Sequence, residues 1–375
     1  MKEVISTNLK RLRNIRGFTQ GELADKADIS RNAYRAIEKG KSEPKVSNLQ
    51  KIANALGKPI QDLITPVPKV KSINFRSNKT LSLHEKNKRE QIINDFIFQL
   101  KNYNELENQL EINHPFYLKN LIGKYKPIEM AENVRRKLNL KANEVINDIC
   151  SLLESAGVKV FHIKFGLKKF YGFSVSEEEG GPAIGVNNSK ENSVERKIFT
   201  TAHELGHLLL HPDLFDIKDC KENKDKEKEA NLFASHLLMP KQAFNEEWDK
   251  NGGMHWVDRI LYTKRKFSVS YLTVLYRLVE CNKANESIWG EFQRDYKKKY
   301  KRSLARYIEP NALTEDFKER EPKRLDDIDF KEDCLSWLVR KAFEKGLISF
   351  SRAAEILRID TMRMREIVNS WNMVG

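Results

Sequence analysis

The chain has 375 residues and a formal net charge of +14, so its length predicts two or three domains, each able to bury its own core, and its charge favours a polyanionic partner. No window offers the roughly 18 consecutive apolar residues that a membrane-spanning helix needs, and the charged start "MKEVISTNLKRLRN" is unlike a secretory signal, so we expect a cytoplasmic protein with no membrane partner. The four cysteines include no Cys-x-x-Cys pair, which argues against a disulfide framework or a thiolate zinc site, and we interpret them as isolated thiols: Cys150, Cys220, Cys281 and Cys334.

Residues 1–65 have apolar positions at helical spacing in short blocks, separated by Gly17, by "ADIS" and by "KGKSEP". This pattern predicts a bundle of four or five short helices. Within it, "TQGELADKADISRNAYRAIEKGKSEP" predicts a helix that begins at Thr19, a tight turn, and a second helix capped by the Ser30 hydroxyl.

The second of these helices is predicted to turn polar side chains outward while Ala33 and Ile37 point inward. A helix presented in this way fits the major groove of DNA, where Arg and Asn side chains can make paired hydrogen bonds to base edges. A Gln at the start of the preceding helix can reach a phosphate or a base. The predicted DNA-binding residues are therefore Gln20, Ser30, Arg31, Asn32, Tyr34 and Arg35.

Residues 5–65 resemble the XRE-type helix-turn-helix family. The family pattern of a Gln, a small-residue turn and "IEKG" with a following Pro is matched by Gln20, Ala24, Ile29, Ile37, Glu38, Gly40 and Pro44. The resemblance implies binding to double-stranded operator DNA. Residues 1–65 hold 13 Lys+Arg against 7 Asp+Glu, a surplus of 6 that suits contacts with phosphates. The alternative is a small helical bundle used only for protein contacts.

Residues 66–126 are predicted to hold a linker and a long amphipathic helix. The stretch from Pro66 to about Arg89 has two prolines and few apolar residues, which is typical of a linker with an extended start. Residues 83–110 then show a helical apolar stripe formed by Ile92, Ile93, Phe96, Leu100, Tyr103, Leu106 and Leu110. This helix can pack against its neighbours or against a second copy of the chain, so a homodimer is left open.

A motif with metal-ligand spacing follows in "TAHELGHLLLH", residues 201–211. The run around it lacks Pro and predicts a helix from about Val194 to Leu210, so that His203 and His207 lie one turn apart on one face and can bind the same tetrahedral ion. Glu204 is displaced by about 100° of helix rotation, which holds it beside the ion without making it a ligand. We therefore predict a Zn²⁺ site with Glu204 as the catalytic general base of a hydrolase.

A third metal ligand is expected from the next helix, "KEKEANLFASHLLMP", which ends before Pro240. In projection Glu227 lies about 50° from the centre of the apolar face and Glu229 about 110° away, so Glu227 is predicted to turn toward the histidines. Asn231, one turn later, is predicted to hydrogen-bond a ligating imidazole and to orient it. Two alternatives stay open: Glu227 belongs only to a solvated charge run, or the third ligand is Asp213.

Residues 127–245 resemble the ImmA/IrrE-type zinc metallopeptidase domain, a gluzincin-like α+β unit with a small sheet. The resemblance rests on "AHELGHLLLH", on "EKEANLFASHLLMP" and on the upstream "GGPAIGVN". It implies that "PAIGVN", residues 182–187, is an edge strand on which an extended substrate peptide can pair by backbone hydrogen bonds. It also implies zinc binding by three side chains and a general base, which here are His203, His207 and Glu227, with Glu204.

Residues 246–375 are predicted to form a helical C-terminal region. "RKFSVSYLTVLYRLVE" predicts a helix capped by Ser270, and residues 334–371 contain a helix, a short turn and a helix that resemble a second helix-turn-helix, with a plain helical tail as the alternative. The predicted fold class is thus multidomain and mainly α, with an N-terminal helix-turn-helix bundle, the α+β peptidase domain with its small sheet, and this helical region.

These features together predict a DNA-binding transcriptional regulator with a zinc-dependent endopeptidase domain. Family resemblance implies that it cleaves a repressor protein, itself or a related partner, and so controls stress or mobile-element genes. The alternative is a non-enzymatic transcription factor or antitoxin-like binder whose metal site is structural or sensory, because ligands and base look alike in an active and an idle site.

Overall fold

The computed structural model describes residues 1–64, 73–75, 83–112, 114–163, 165, 170–212, 223–304, 309–310 and 334–372. These residues fall into two compact units. The first unit holds residues 1–64, 83–98 and 165, and the second holds the remaining described residues. Within this part of the chain, no helix is both long and apolar enough to cross a membrane.

The first 64 residues form the predicted bundle of short helices around an apolar core. The Thr19 hydroxyl accepts from the backbone N–H of Glu22, whose side chain accepts from the backbone N–H of Thr19, so a capping box begins the second helix. The Ser30 hydroxyl accepts from the backbone N–H of Ala33 and begins the third, which confirms the predicted cap. The five helices are α1 (Lys2–Ile15), α2 (Gln20–Lys26), α3 (Arg31–Glu38), α4 (Val46–Leu56) and α5 (Gln61–Ile64).

The predicted long helix is α6 (Leu83–Gln109). Of the seven residues of its predicted apolar stripe, Ile93 is half-buried and the others are buried. The chain before it differs from the predicted linker, because residues 73–75 form a short strand, β1 (Ile73–Phe75). The rest of the stretch from 65 to 82 lies outside the described residues.

The second unit contains a four-stranded sheet in the order β1-β3-β4-β2, with β2 (Lys159–Ile163), β3 (Gly172–Val175) and β4 (Ala183–Asn187). β3 pairs antiparallel with both β1 and β4, and β2 pairs parallel with β4. The prediction that residues 182–187 form an edge strand is therefore wrong. β4 lies inside the sheet, because β2 and β3 use its two edges, and all of its residues are buried.

Helices surround this sheet and share one hydrophobic core with it, which gathers residues from Leu118 to Tyr296. The core therefore continues past residue 245, where the sequence suggests a domain end. The helices that contribute to it are α7 (Pro127–Lys137), α8 (Ile149–Ser155), α9 (Val194–Leu210), α10 (Lys224–Leu238), α11 (Lys241–Lys250), α12 (Trp256–Lys266), α13 (Tyr271–Glu280) and α14 (Ile288–Tyr300). As predicted, Ser270 caps α13 through its hydroxyl.

Three further helices end the described chain: α15 (Cys334–Glu344), α16 (Phe350–Leu357) and α17 (Thr361–Asn372). The Arg352 guanidinium of α16 donates to Asn102 Oδ1 at 2.7 Å and lies 3.2 Å from Glu105 Oε2, which joins this region to α6. Its resemblance to a second helix-turn-helix stays a prediction. The described residues confirm the multidomain, mainly α fold class with a small sheet.

Candidate metal centre and DNA-binding helix

The metal motif lies on α9, which has the predicted bounds and is buried along nearly its whole length. Ser193 caps its start by accepting from the backbone N–H of Arg196 at 3.3 Å. α10 packs closely against α9 at Gly206, where a Cβ atom would lie 2.9 Å from Phe233 Cδ1. Since only a residue without a side chain leaves this space, Gly206 sets the approach of the two helices.

This approach brings His203, His207 and Glu227 together. His203 Nε2 and His207 Nε2 are 2.9 Å apart. The Glu227 carboxylate lies 3.1 Å from His207 Nε2 through Oε1 and 3.6 Å from His203 Nε2 through Oε2. Both imidazoles are buried, with side-chain exposures of 1% and 0%, whereas Glu227 is 16% exposed. One ligand atom from each of the three lies within 4.8 Å of the others.

A second set of side chains holds the outer nitrogens of these rings. His203 Nδ1 lies 2.9 Å from Asn231 Oδ1, the contact predicted for Asn231. His207 Nδ1 lies 3.0 Å from His211 Nδ1, and His211 Nε2 lies 2.8 Å from Glu229 Oε2. Burial lowers the pKa of His211 more than the hydrogen bond and charge of Glu229 raise it.

The three inner residues fit a bound metal ion. When Asn231 Oδ1 accepts from His203 Nδ1–H, the Nε2 lone pair of His203 faces both the His207 ring and the Glu227 carboxylate. A cation between them would stabilise this concentration of acceptor atoms, because two imidazoles and one carboxylate are side chains that bind divalent metal ions in proteins. No other group of three such ligands lies together within the described ranges. The alternative ligand Asp213 lies outside the described residues.

Glu204 follows His203 directly in α9 and is buried. The Ser174 hydroxyl of β3 donates to Glu204 Oε2 at 3.0 Å. β3 passes close to α9 here, because a Cβ atom on Gly172 would lie 2.5 Å from Thr200 Cγ2 and 3.3 Å from Glu204 Cγ. Ser174 could not be predicted from the sequence, since a contact between residues 30 positions apart leaves no local pattern. The hydrogen bond from Ser174 orients one carboxylate oxygen of Glu204.

The predicted DNA-binding helix is α3. Arg31, Asn32 and Arg35 are exposed on it, as is Ser30 at its cap. The outward orientation predicted for Tyr34 is wrong, because its side chain is fully buried and its hydroxyl donates to Glu38 Oε2 at 2.6 Å. Its ring belongs to the bundle core and does not reach the surface that a DNA groove would meet.

Glu38 is a buried carboxylate at the end of α3, and its structural role was not predicted from the sequence. Arg13 donates to both of its oxygens, at 2.7 and 2.8 Å, and Gln20 Nε2 donates to Oε1 at 2.8 Å. Burial raises the pKa of Glu38, but hydrogen bonds from Arg13, Tyr34 and Gln20 outweigh burial and hold this pKa below its usual value. Gln20 Oε1 accepts from Arg35 Nε at 3.3 Å, so Gln20 also orients a predicted DNA-contacting residue.

Two family models match this chain. The helix-turn-helix model matches residues 9–63, which contain α2 and α3. The model of the M78 peptidase family, described as the IrrE N-terminal-like domain, matches residues 153–279, which contain the sheet strands β2 to β4 and both helices of the histidine cluster.

The relatives found are transcriptional regulators. An uncharacterised HTH-type transcriptional regulator of Sinorhizobium fredii is 33% identical over 66 residues, 18% of this chain and 86% of that protein. An HTH-type transcriptional regulator of Escherichia coli, SutR, is 39% identical over 62 residues, 16% of this chain and 35% of that protein. The cryptic phage CTXphi transcriptional repressor of Vibrio cholerae is 34% identical over 62 residues, 16% of this chain and 56% of that protein. The chain therefore belongs to the XRE-type helix-turn-helix transcriptional regulators and carries, behind its DNA-binding domain, an ImmA/IrrE-like domain of the M78 peptidase family.

Proposed function

We propose that this regulator binds operator DNA through α3 and hydrolyses a peptide bond of a repressor protein at a zinc ion held by His203, His207 and Glu227. Cleavage ends repression of stress or mobile-element genes. Because operator DNA is the other partner, we place the reaction in the cytoplasm. The single observation that carries the enzymatic part is the convergence of two imidazoles and a carboxylate, with the buried carboxylate of Glu204 on the residue next to His203.

Each residue has a separate task in this proposal. Zinc, when bound, polarises the scissile carbonyl and makes the attacking water more acidic. Glu204 accepts the proton of that water at a carboxylate oxygen and passes it to the leaving amine. Ser174 donates to Glu204 Oε2 and so directs the other oxygen for this transfer. Asn231 holds the His203 ring with Nε2 toward the cluster.

The requirement for metal tests the enzymatic proposal. Protein stripped with a chelator is expected to leave a candidate XRE-type repressor intact, and one equivalent of zinc is expected to restore its cleavage to two defined fragments. Mass spectrometry of the repressor before and after zinc addition measures this. Circular dichroism of the stripped protein controls for unfolding, and thiol alkylation controls for cysteine-bound metal. Zinc-loaded, folded protein that cuts none of the XRE-type repressors encoded with it would leave the metal-sensing regulator as the better interpretation.

The DNA-binding part of the proposal predicts that substitutions on α3 affect specific operator binding more than nonspecific DNA binding. Arg35→Ala and Asn32→Ala are each expected to weaken specific operator binding by about 1 to 3 kcal/mol and to leave nonspecific binding largely intact, because base contacts carry specificity. Titration of labelled operator and of scrambled DNA at one fixed salt concentration measures the specific and the nonspecific affinity. Lys51→Ala is a suitable control, since this exposed side chain on α4 pairs with Asp28. Unchanged operator affinity in both α3 variants would reject α3 as the reading helix.

A further inference from the structure

The outer edge of β3 is covered by a segment of the chain's own linker. β1 pairs antiparallel with β3 in the register Ile73 to Val175, Asn74 to Ser174 and Phe75 to Phe173. The inner edge of β3 is used by β4. β1 therefore occupies the edge of β3 at which a peptide could otherwise be added to the sheet as an extra strand.

This edge is next to the candidate catalytic carboxylate. Asn74 of β1 is directly opposite Ser174, the residue whose hydroxyl donates to Glu204. Neighbouring strands lie about 4.8 Å apart, so a backbone on this edge runs one strand spacing from the strand that carries Ser174. The other outer edge of the sheet belongs to β2, which lies two strands away from β3, the strand that carries Ser174. An extended peptide that is to be cut beside Glu204 must use the β3 edge.

We propose that the β3 edge is the peptide-binding edge of this domain and that Ile73–Phe75 is its resident ligand, so that every other extended peptide has to displace β1. The statement that such a peptide is a substrate rests on the proposed function. The competition between β1 and the peptide for the β3 edge does not depend on that function. The ligand class is an extended segment with an apolar–polar–apolar pattern, as in "INF". Because β1 is tethered to the same chain, its effective concentration at β3 exceeds that of a free peptide.

Because of this competition, the apparent affinity for any outside peptide is the intrinsic affinity of the open edge multiplied by the fraction of molecules in which β1 has left β3. Weakening β1 is therefore expected to strengthen peptide binding. In an antiparallel pair the backbone N–H groups of successive residues point to opposite sides. The double variant Ile73→Pro/Asn74→Pro removes at least one N–H that faces β3, whichever of the two that is.

The probe is a fluorescent synthetic peptide with the sequence of residues 70–79, VKSINFRSNK. Proteins carry Glu204→Gln so that no probe is cut. We expect the double-proline variant to bind the probe about tenfold more tightly than the parent protein, because the fraction with an open edge rises. Asn78→Pro, in the same linker but outside β1, is expected to bind like the parent. Fluorescence anisotropy measures all three affinities.

Hydrogen exchange provides a readout that needs no probe affinity. Backbone amides of Gly172–Val175 that face β1 are expected to exchange faster in the double-proline variant and to regain protection when the probe is added. Asn74→Gly is the second, milder variant if the prolines unfold the domain. Glycine at position 74 weakens the pairing of β1 with β3 only because it loses more backbone freedom when the strand forms. We therefore expect a gain in probe affinity of about two- to fivefold.

Equal probe affinity in parent and variants, with unchanged exchange of Gly172–Val175, would overturn the inference. The proposed function fails separately. If the variants bind the probe more tightly but protein with Glu204 intact cuts no peptide, the competition stands and the hydrolytic function is lost. If protein with intact Glu204 cuts its repressor and β1 variants behave like the parent, the reverse holds.

Discussion

Glu204→Gln is expected to reduce repressor cleavage about 100- to 10,000-fold while the zinc content of the protein stays at that of the wild type. The substitution preserves the size of the side chain and can still accept from Ser174. It removes the oxygen basicity that takes the proton from water. Because Glu204 is not one of the three converging ligands, the metal stays bound. Initial cleavage rates and metal analysis of the same preparation give both quantities.

Asp225→Asn is the matched control, since Asp225 is an exposed carboxylate at the start of α10 that pairs with Lys228. It is expected to cleave at the wild-type rate. In cells, the Glu204→Gln strain should keep its target promoter repressed and its repressor intact under inducing conditions. Normal derepression with an intact repressor in both strains contradicts hydrolysis and leaves a metal-sensing regulator.

Glu227→Ala is expected to lose nearly all of its zinc. A three-residue ligand set with one open position has no spare ligand, and removal of the carboxylate also leaves two imidazoles without the negative charge that attracts a cation. The variant should retain its fold because Glu227 is partly exposed and lies outside the core. Metal analysis after dialysis against a competing chelator measures the loss, and circular dichroism checks the fold.

Two companion variants make the zinc result specific. Asn231→Ala is expected to weaken zinc binding about 10- to 100-fold, since a hydrogen-bonded partner orients the ligating ring but does not bind the ion. Asp213→Ala is expected to keep its zinc. Full zinc retention in Glu227→Ala together with loss in Asp213→Ala would transfer the third ligand to Asp213.

Helical periodicity was sufficient to predict much of this chain. It predicted the bounds of α9 and the side of α10 on which Glu227 meets the two histidines. These features depend on residues three or four positions apart, and the helix backbone alone determines which of them share a face. The caps at Thr19 and Ser30 are local for the same reason.

Pairings between distant segments could not be predicted in this way. The order of the strands depends on which edges meet after the chain has folded, so "PAIGVN" became an inner strand and a piece of the linker became an outer one. The same limit applies to Ser174 and Glu204. The prediction for Tyr34 was wrong for another reason. Its polar hydroxyl suggested an outer position, but the buried Glu38 supplies the acceptor that lets the ring lie in the core.

The two residues between Glu204 and His207 have consequences for how much change this motif tolerates. Leu205 lies in the core, and Gly206 occupies the point where Phe233 leaves no room for a methyl group. A mutational scan of His203–His207 that selects for stable protein, without selecting for catalysis, should thus find positions 205 and 206 as intolerant as any ligand is under a catalytic selection. The two x positions of His-Glu-x-x-His are thus constrained by packing in this protein, and under the proposed function the two His and the Glu are constrained by metal binding and proton transfer, so that all five positions resist substitution.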